Sequence, residues 1–316
     1  MTFSITIPAY KSQFLKEAIE SVVCQTYSDW ELIIVDDCSP EDLRSIVEPF
    51  LDDKRIHYYR NEKNCGAIEV VDNWNICLNY CTGDYVICMG DDDRLLPRCL
   101  EEYKKLIEKY PGLNAYHTRT EIIDQNGVTV FLQEPRPEWE SALSLVWNRW
   151  AYRYKQFIGD FCYNTNYLRH VGGYCKQPLA WGSDDMTAAM ASKDFGIANT
   201  QTFGFQYREN PLTISNSSKN AKIKIDATLL HYQWFSSFIH DIEGRGLAPS
   251  DLLYLQTIEH PRTKFFQMIL NIYCSQYIKG NPLRLIHCCK RLKGMPLSRI
   301  DYIKWYITSL YYLFVH

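Results

Sequence analysis

Apolar and polar positions alternate in blocks along the first hundred residues. "FSITIPAY" is a β-branched run that reads as a strand ended by Pro8. Behind it, Phe14, Leu15, Ala18, Ile19, Val22 and Val23 recur at the spacing of one helix face. "WELIIVDD" predicts a second strand. "SPED" predicts a helix start, with Ser39 as N-cap, Pro40 in the first turn and Asp42 as the supporting acid. "RIHYYRN" predicts a third strand, "IEVVDNWNICLNYC" a third helix stopped near Gly83, and "DYVICM" a fourth strand. Strand and helix repeating at short, regular intervals demand right-handed crossovers and a mostly parallel, doubly wound sheet.

In such sheets ligands bind at the carboxyl ends of the strands. Here those ends read "PAY", "VDD" and "MGDDD", so Asp36, Asp37, Asp91, Asp92 and Asp93 are expected along one edge. Beyond Pro97, Tyr103, Leu106, Ile107 and Tyr110 mark another helix, and "LNAYHTRTEIID" a strand with a turn at "QNG". From about Pro135 the chain turns aromatic and irregular. A polar loop, "TISNSSKNAKIK", then precedes helices rich in Tyr, Ile and Lys. The expected organisation is residues 1–115 and 116–220 as two halves of one domain, followed by a helical extension over 221–316. No internal repeat is visible.

Composition changes this picture in two places. The 316 residues are 46 % hydrophobic with a net charge of −3, enough for a sizeable core. The charge is uneven, because from Pro261 to His316 nine Lys/Arg stand against one acid, Asp301. A basic, aromatic, helical tail either lies on an anionic membrane face or packs on the rest with its cations solvated. The acidic main body argues against nucleic acid. The twelve cysteines form no CxxC pair, and Cys77, Cys81 and Cys88 sit in apolar runs, where Cys acts as a small hydrophobe. "MTFSITIPAY" has neither the basic region nor the apolar run of a signal peptide, and no apolar segment reaches the ~20 residues that span a bilayer. Reduced thiols and a place in the cytoplasm, or on the inner face of the membrane, are expected.

Adjacent carboxylates repel, so "GDDD" calls for a positive partner. Asp91 to Asp93 could hold a hard divalent cation, Mn²⁺ or Mg²⁺, or could merely cap the helix after Pro97. Downstream, "GGYCKQPLAWGSDDM" sets Asp184 and Asp185 after a Gly-rich turn and Trp181. One acid could act as a general base with Trp181 as a platform for a sugar face, or both could be helix N-terminal acids. In "YRENPLTIS", Arg208 suits a diphosphate or an ordinary ion pair.

Together these segments resemble the family 2 glycosyltransferases, with their GT-A-type fold. The matching features run in order from residue 3 to 216. They are the strand ending in Pro-x-Tyr, "QTY" before "WELIIV", "DDCSP" where "DDGS" is usual, the asparagine-containing helix before "MGDDD", the Gly-Gly-aromatic turn with its acidic pair, and the Tyr-Arg loop. The resemblance implies that Pro8, Ala9, Tyr10 and Asp37 line the base and ribose pocket. Asp91 and Asp92 would contact the nucleotide, Asp92 and Asp93 the metal, and Asp185 would be the base. Trp181, Asp184 and Arg208 are candidates for the acceptor or the diphosphate. Three departures stand out: Gly90 replaces the family's first aspartate, Asp184 its usual glutamate, and neither Glu209 nor Asn210 is the usual histidine.

The implied activity is metal-dependent, inverting transfer of a hexosyl or N-acetylhexosaminyl group. The donor would be a nucleoside diphosphate sugar, UDP-linked in the first instance, and the acceptor a glycan or lipid-linked oligosaccharide in surface polysaccharide biosynthesis. Residues 262–316 would supply peripheral membrane contact. Two rivals remain. A metal-dependent nucleotidyltransferase would carry a Gly-rich basic loop after the first strand, and "PAYKSQF" has none. A non-catalytic nucleotide-sugar-binding protein would not need Asp185.

Overall fold

In the computed structural model, which describes residues 1–209, 220–279, 281 and 283–314, the apolar blocks become a ten-stranded mixed sheet flanked by helices. Its first half runs β1 (Phe3–Ala9), α1 (Leu15–Val23), β2 (Trp30–Asp36), α2 (Leu43–Val47), β3 (Ile56–Arg60), α3 (Val70–Tyr80) and β4 (Tyr85–Cys88). β3, β2, β1 and β4 are neighbours in that order and all parallel. The strands are buried on both faces, so alternate residues feed two separate cores. Ile5, Ile7, Leu32 and Ile34 pack with Leu15, Ile19 and Leu100, whereas Ile33, Val35, Val86 and Cys88 pack with Val71, Cys77 and Leu168. Each such side chain contributes about 1.5–3 kcal/mol of burial.

Two local expectations are corrected. β1 continues through Pro8 to Ala9. Asp42, not Ser39, caps α2 by accepting from Ser45 N at 3.2 Å. Ser39 instead donates to Tyr10 O at 2.7 Å, tying the end of β1 to the loop after β2.

The second half is more regular than its composition suggested. It adds β5 (Arg94–Leu95), α4 (Cys99–Lys109), β6 (Ala115–Ile123), β7 (Thr129–Leu132), β8 (Trp139–Glu140), α5 (Ala142–Trp150), β9 (Phe161–Asn164), α6 (Thr165–His170), α7 (Ser183–Ser192) and β10 (Ile197–Arg208). β9 runs antiparallel between β4 and β6, which makes the sheet mixed, and β10 lies parallel to β6. Aromatic side chains here are core: Trp150, Tyr163 and Phe161 are almost wholly buried.

The remaining helices are α8 (Ala221–Glu243), α9 (Pro249–Thr257), α10 (Glu259–Ile278), α11 (Leu283–Arg291) and α12 (Arg299–Phe314). They pack on α5 and α7, because Trp150, Met186 and Ala189 share one apolar cluster with Phe235, Phe266, Leu270 and Trp305. Among the described residues, no helix is long and apolar enough to cross a membrane. All twelve cysteines are free thiols.

Candidate active site

The chain leaves β4 at Met89 and Gly90 and turns through the three aspartates into β5. Backbone donors hold two of the three. Asp91 Oδ2 accepts from Tyr10 N and Lys11 N, both at 2.7 Å, which clamps the β1 end onto this turn. Asp93 Oδ1 accepts from Arg208 N at 2.9 Å, at the end of β10. Burial and the neighbouring Asp92 push the Asp91 carboxyl up to about 6 and that of Asp93 well above the carboxylate range. Burial also raises Asp92. Such shifts mean that the negative charges lack compensation as they stand.

Gly90 lies against the two carboxylates that would hold a metal. A Cβ built there would lie 3.0 Å from Asp92 Oδ1 and 2.9 Å from Asp93 Oδ2. Both carboxylate oxygens therefore pack directly against Gly90, close enough that any side chain there would press on them. Two carboxylates brought together on one buried turn are the kind of oxygen ligands a hard divalent ion takes. Among the described residues no group of three His, Cys, Asp or Glu could cage a metal, so the other positions would be left to water and ligand phosphates.

The second acidic pair opens α7. Gly182 caps it at φ +84°, where a Cβ would fall 2.6 Å from the His231 ring. Glycine is needed there both for its conformation and for its size. Asp184 and Asp185 are in the first helical turn, and Arg149 Nε from α5 donates to Asp185 Oδ1 at 2.7 Å. Burial, and then Asp185, push Asp184 up to about 8.

A single cavity of about 450 Å³ joins the two acidic groups. Asp91, Asp92 and Asp93 line it together with Asp184, Asp185 and Trp181. So do Lys11, Arg149, Phe157 and Tyr207, and, from the C-terminal helices, His231, Phe265 and Ile269. Sequence reasoning missed Arg149, which stands in the stretch read as irregular. It also missed His231 and Phe265, whose helices carry no sequence sign of a site.

The other expected residues fall elsewhere. Pro8, Ala9, Tyr10 and Asp37 are not part of the cavity lining but form the adjoining β1–β2 edge. Asp37 accepts from Asn61 Nδ2 at 2.8 Å and Cys65 N at 2.9 Å. Asp36, expected on the acidic edge, is wholly buried, accepting from Ser39 N and Tyr58 Oη at 2.7 Å each and pairing with Arg60. Arg208 turns inward: its guanidinium donates to Glu17 at 2.7 Å and Asp92 O at 2.8 Å, over the ring of Phe14. It braces the aspartate turn and leaves no open fork for a diphosphate. Trp181 donates to Thr228 Oγ1 at 3.1 Å, and the Lys224 ammonium lies over its ring. Asn210, noted for lacking a histidine, lies outside the described residues.

A parallel half-sheet with acids at its strand ends, completed by a second acidic pair across one cavity, defines a GT-A-type fold. S. aureus TarS, solved with UDP-GlcNAc, superposes with a TM-score of 0.66 at 16 % identity over 99 % of this chain and 91 % of that one. A mannosyltransferase from Pyrobaculum calidifontis, solved with GDP-Man and Mn²⁺, gives 0.51 at 14 % identity, covering 98 % and 84 %. Residues 4–175 match the Glycosyl transferase family 2 profile, and the chain belongs to that family. WcaA of Escherichia coli, named for colanic acid biosynthesis, is 33 % identical over 172 residues, half of this chain and 60 % of WcaA. EpsE of Bacillus subtilis, named as a glycosyltransferase, is 33 % identical over 116 residues, 36 % of this chain and 41 % of EpsE. The matched stretch thus spans about half the length of these relatives.

Proposed function

We propose that the chain is an inverting glycosyltransferase of polysaccharide biosynthesis that draws a hexosyl or N-acetylhexosaminyl group from a nucleoside diphosphate sugar. The observation that carries this reading is the shared cavity, with a carboxylate turn at the β4 end on one side and Asp184 and Asp185 on the other. The TarS complexes with UDP and UDP-GlcNAc favour a UDP-linked donor, and WcaA favours a surface glycan as product.

Donor binding uses the β1–β2 edge, with Asp37 and the Tyr10 backbone beside the base and ribose, and the Asp91–Asp93 turn under the diphosphate. Asp92 and Asp93 would hold Mn²⁺ or Mg²⁺, which supplies positive charge to the departing diphosphate. Asp185 takes the proton of an acceptor hydroxyl as its oxygen attacks the anomeric carbon from the face opposite the diphosphate. The new glycosidic bond forms as the bond to the diphosphate oxygen breaks, which inverts the centre. Arg149 holds one oxygen of Asp185 in place at 2.7 Å. Trp181, Phe265 and Asp184 border the acceptor side. A lipid-linked oligosaccharide at the inner membrane face is the acceptor that the basic tail suits.

Donor binding and turnover separate the readings. Nucleoside diphosphate sugars are screened by thermal shift with Mn²⁺, Mg²⁺ or EDTA, and Asp185→Asn is run beside the native chain. The expected result is a metal-dependent rise with uridine donors in both proteins. Turnover of the variant should fall at least 10²-fold. Full turnover by the variant would remove Asp185 as base, and no shift with any donor would remove the transferase reading.

A further inference from the structure

The positive charge of the tail is not uniformly available. Arg262 is buried and pairs with Glu259 at 2.7 Å. Arg291 pairs with Asp226 at 2.9 Å, and the Arg284 guanidinium lies over the Tyr277 ring. What remains exposed includes Lys264 on α10 and Arg299 and Lys304 on α12. Lys264 and Arg299 form no ion pair among the described residues, and Lys304 acts on Asp301, a buried acid already bonded by Ser298 and Asn271.

The same two helices present apolar side chains to solvent. Met268 and Ile272, one turn apart on α10, are each 45 % exposed. Ile300, Ile303 and Ile307, on one face of α12, are 55–62 % exposed. Asn271 holds the helices side by side, donating to Asp301 at 2.8 Å and accepting from the buried Trp305 Nε1 at 2.9 Å. Lys264, Met268, Ile272 and Lys304 border the groove between them. Exposed isoleucines and methionine therefore share the outward sides of two packed helices with Lys264, Arg299 and Lys304.

We propose that this α10–α12 face docks on an anionic lipid bilayer. Large apolar side chains left exposed on two adjoining helices mark an interaction surface. A second copy meeting it face to face would set Lys264, Arg299 and Lys304 against their own equivalents, a like-charge contact that disfavours the symmetric dimer. An anionic bilayer matches both features, taking the apolar side chains into its interfacial layer and the cations at its headgroups. The proposal rests on the transferase reading for its purpose. Phe265 and Ile269 line the cavity while Lys264 and Met268, one residue earlier in each turn, face out. Docking would therefore hold the cavity within about one helix width, 10 Å, of lipid-linked acceptors.

The test is co-sedimentation of the whole chain with vesicles of phosphatidylcholine alone or mixed with phosphatidylglycerol. Binding is expected to the mixed vesicles, weakened by high salt. It should fall at least tenfold for Ile303→Glu with Ile307→Glu, and likewise for Lys264→Glu with Arg299→Glu. Both double variants should keep the native melting temperature and donor-induced shift. Absence of binding to the mixed vesicles, or variants that bind as the native chain does, would overturn the proposal. So would isoleucine variants whose only change is loss of a dimer by light scattering. Vesicle binding is read without turnover, so a chain that binds lipid yet accepts no sugar nucleotide would refute the transferase reading and leave the surface standing.

Discussion

At the scale of single residues, the Asp92 and Asp93 carboxylates are packed against Gly90. The aspartate more usual in the family would bring a Cβ within 3.0 Å of carboxylate oxygens on both Asp92 and Asp93. Gly90→Ala should therefore displace those carboxylates and lower metal affinity at least tenfold, about 1.4 kcal/mol. Titration of the donor-induced thermal shift with Mn²⁺ measures it, and an unchanged midpoint would mean that Asp92 and Asp93 do not hold the ion. Asp184 gives a second prediction, with a sign opposite to that of most carboxylates. Its folded value is raised from 3.8 to about 8, so between those limits the folded chain holds a proton that the unfolded chain has released. The stabilisation is present in full at the acid end and is lost as pH rises towards about 8. Melting temperature without ligand should fall from pH 5 to 8 on this account, and Asp184→Asn should flatten the fall. Asp91 and Asp93 are raised as well, so some slope will remain. A variant as steep as the native chain would place the retained proton elsewhere.

At the scale of elements, the sequence was legible wherever a segment's partners are close in the chain. The strand and helix spacing of the first hundred residues follows from burial patterns of period 2 and 3.6, and those are local. The positions of "DDD" and of "SDD" could be read because each follows an element end: β4 for the first, the glycine cap of α7 for the second. The fate of Asp36 could not. Its parallel register places Arg60 directly beside it on β3, and Tyr58 from the same strand adds a hydroxyl. Nor could that of Arg208, whose partner Glu17 lies on α1, 191 residues away. Arg149 was hidden for the same reason, since only the packing of α5 on α7 brings it to Asp185.

At the scale of the whole molecule, the helical extension completes the catalytic domain. Trp150 is 1 % exposed because Phe235 and Phe266 pack edge-on against it at 5.0 and 6.0 Å. His231, Phe265 and Ile269 wall the cavity. A chain ending at residue 220 would uncover the α5–α7 side of that cluster, and each large apolar side chain returned to water costs about 1.5–3 kcal/mol. The truncated chain should aggregate or bind a hydrophobic dye, and should give no donor-induced shift. A monodisperse fragment that binds donor normally would show that the helices are dispensable for the fold.

The sequence by itself determined the alternating strand–helix order, the parallel half-sheet, the acidic turn at the end of β4 and the acidic pair that opens α7. Each of these depends on neighbours a few residues away, or on a linear order of motifs. Only the tertiary structure decided which carboxylates face the cavity and which are consumed in bracing the sheet. It alone brought Arg149 to Asp185, turned Arg208 inward, and divided the tail's basic residues into buried, paired and exposed. Those outcomes depend on contacts between side chains tens to hundreds of residues apart, which no local pattern encodes.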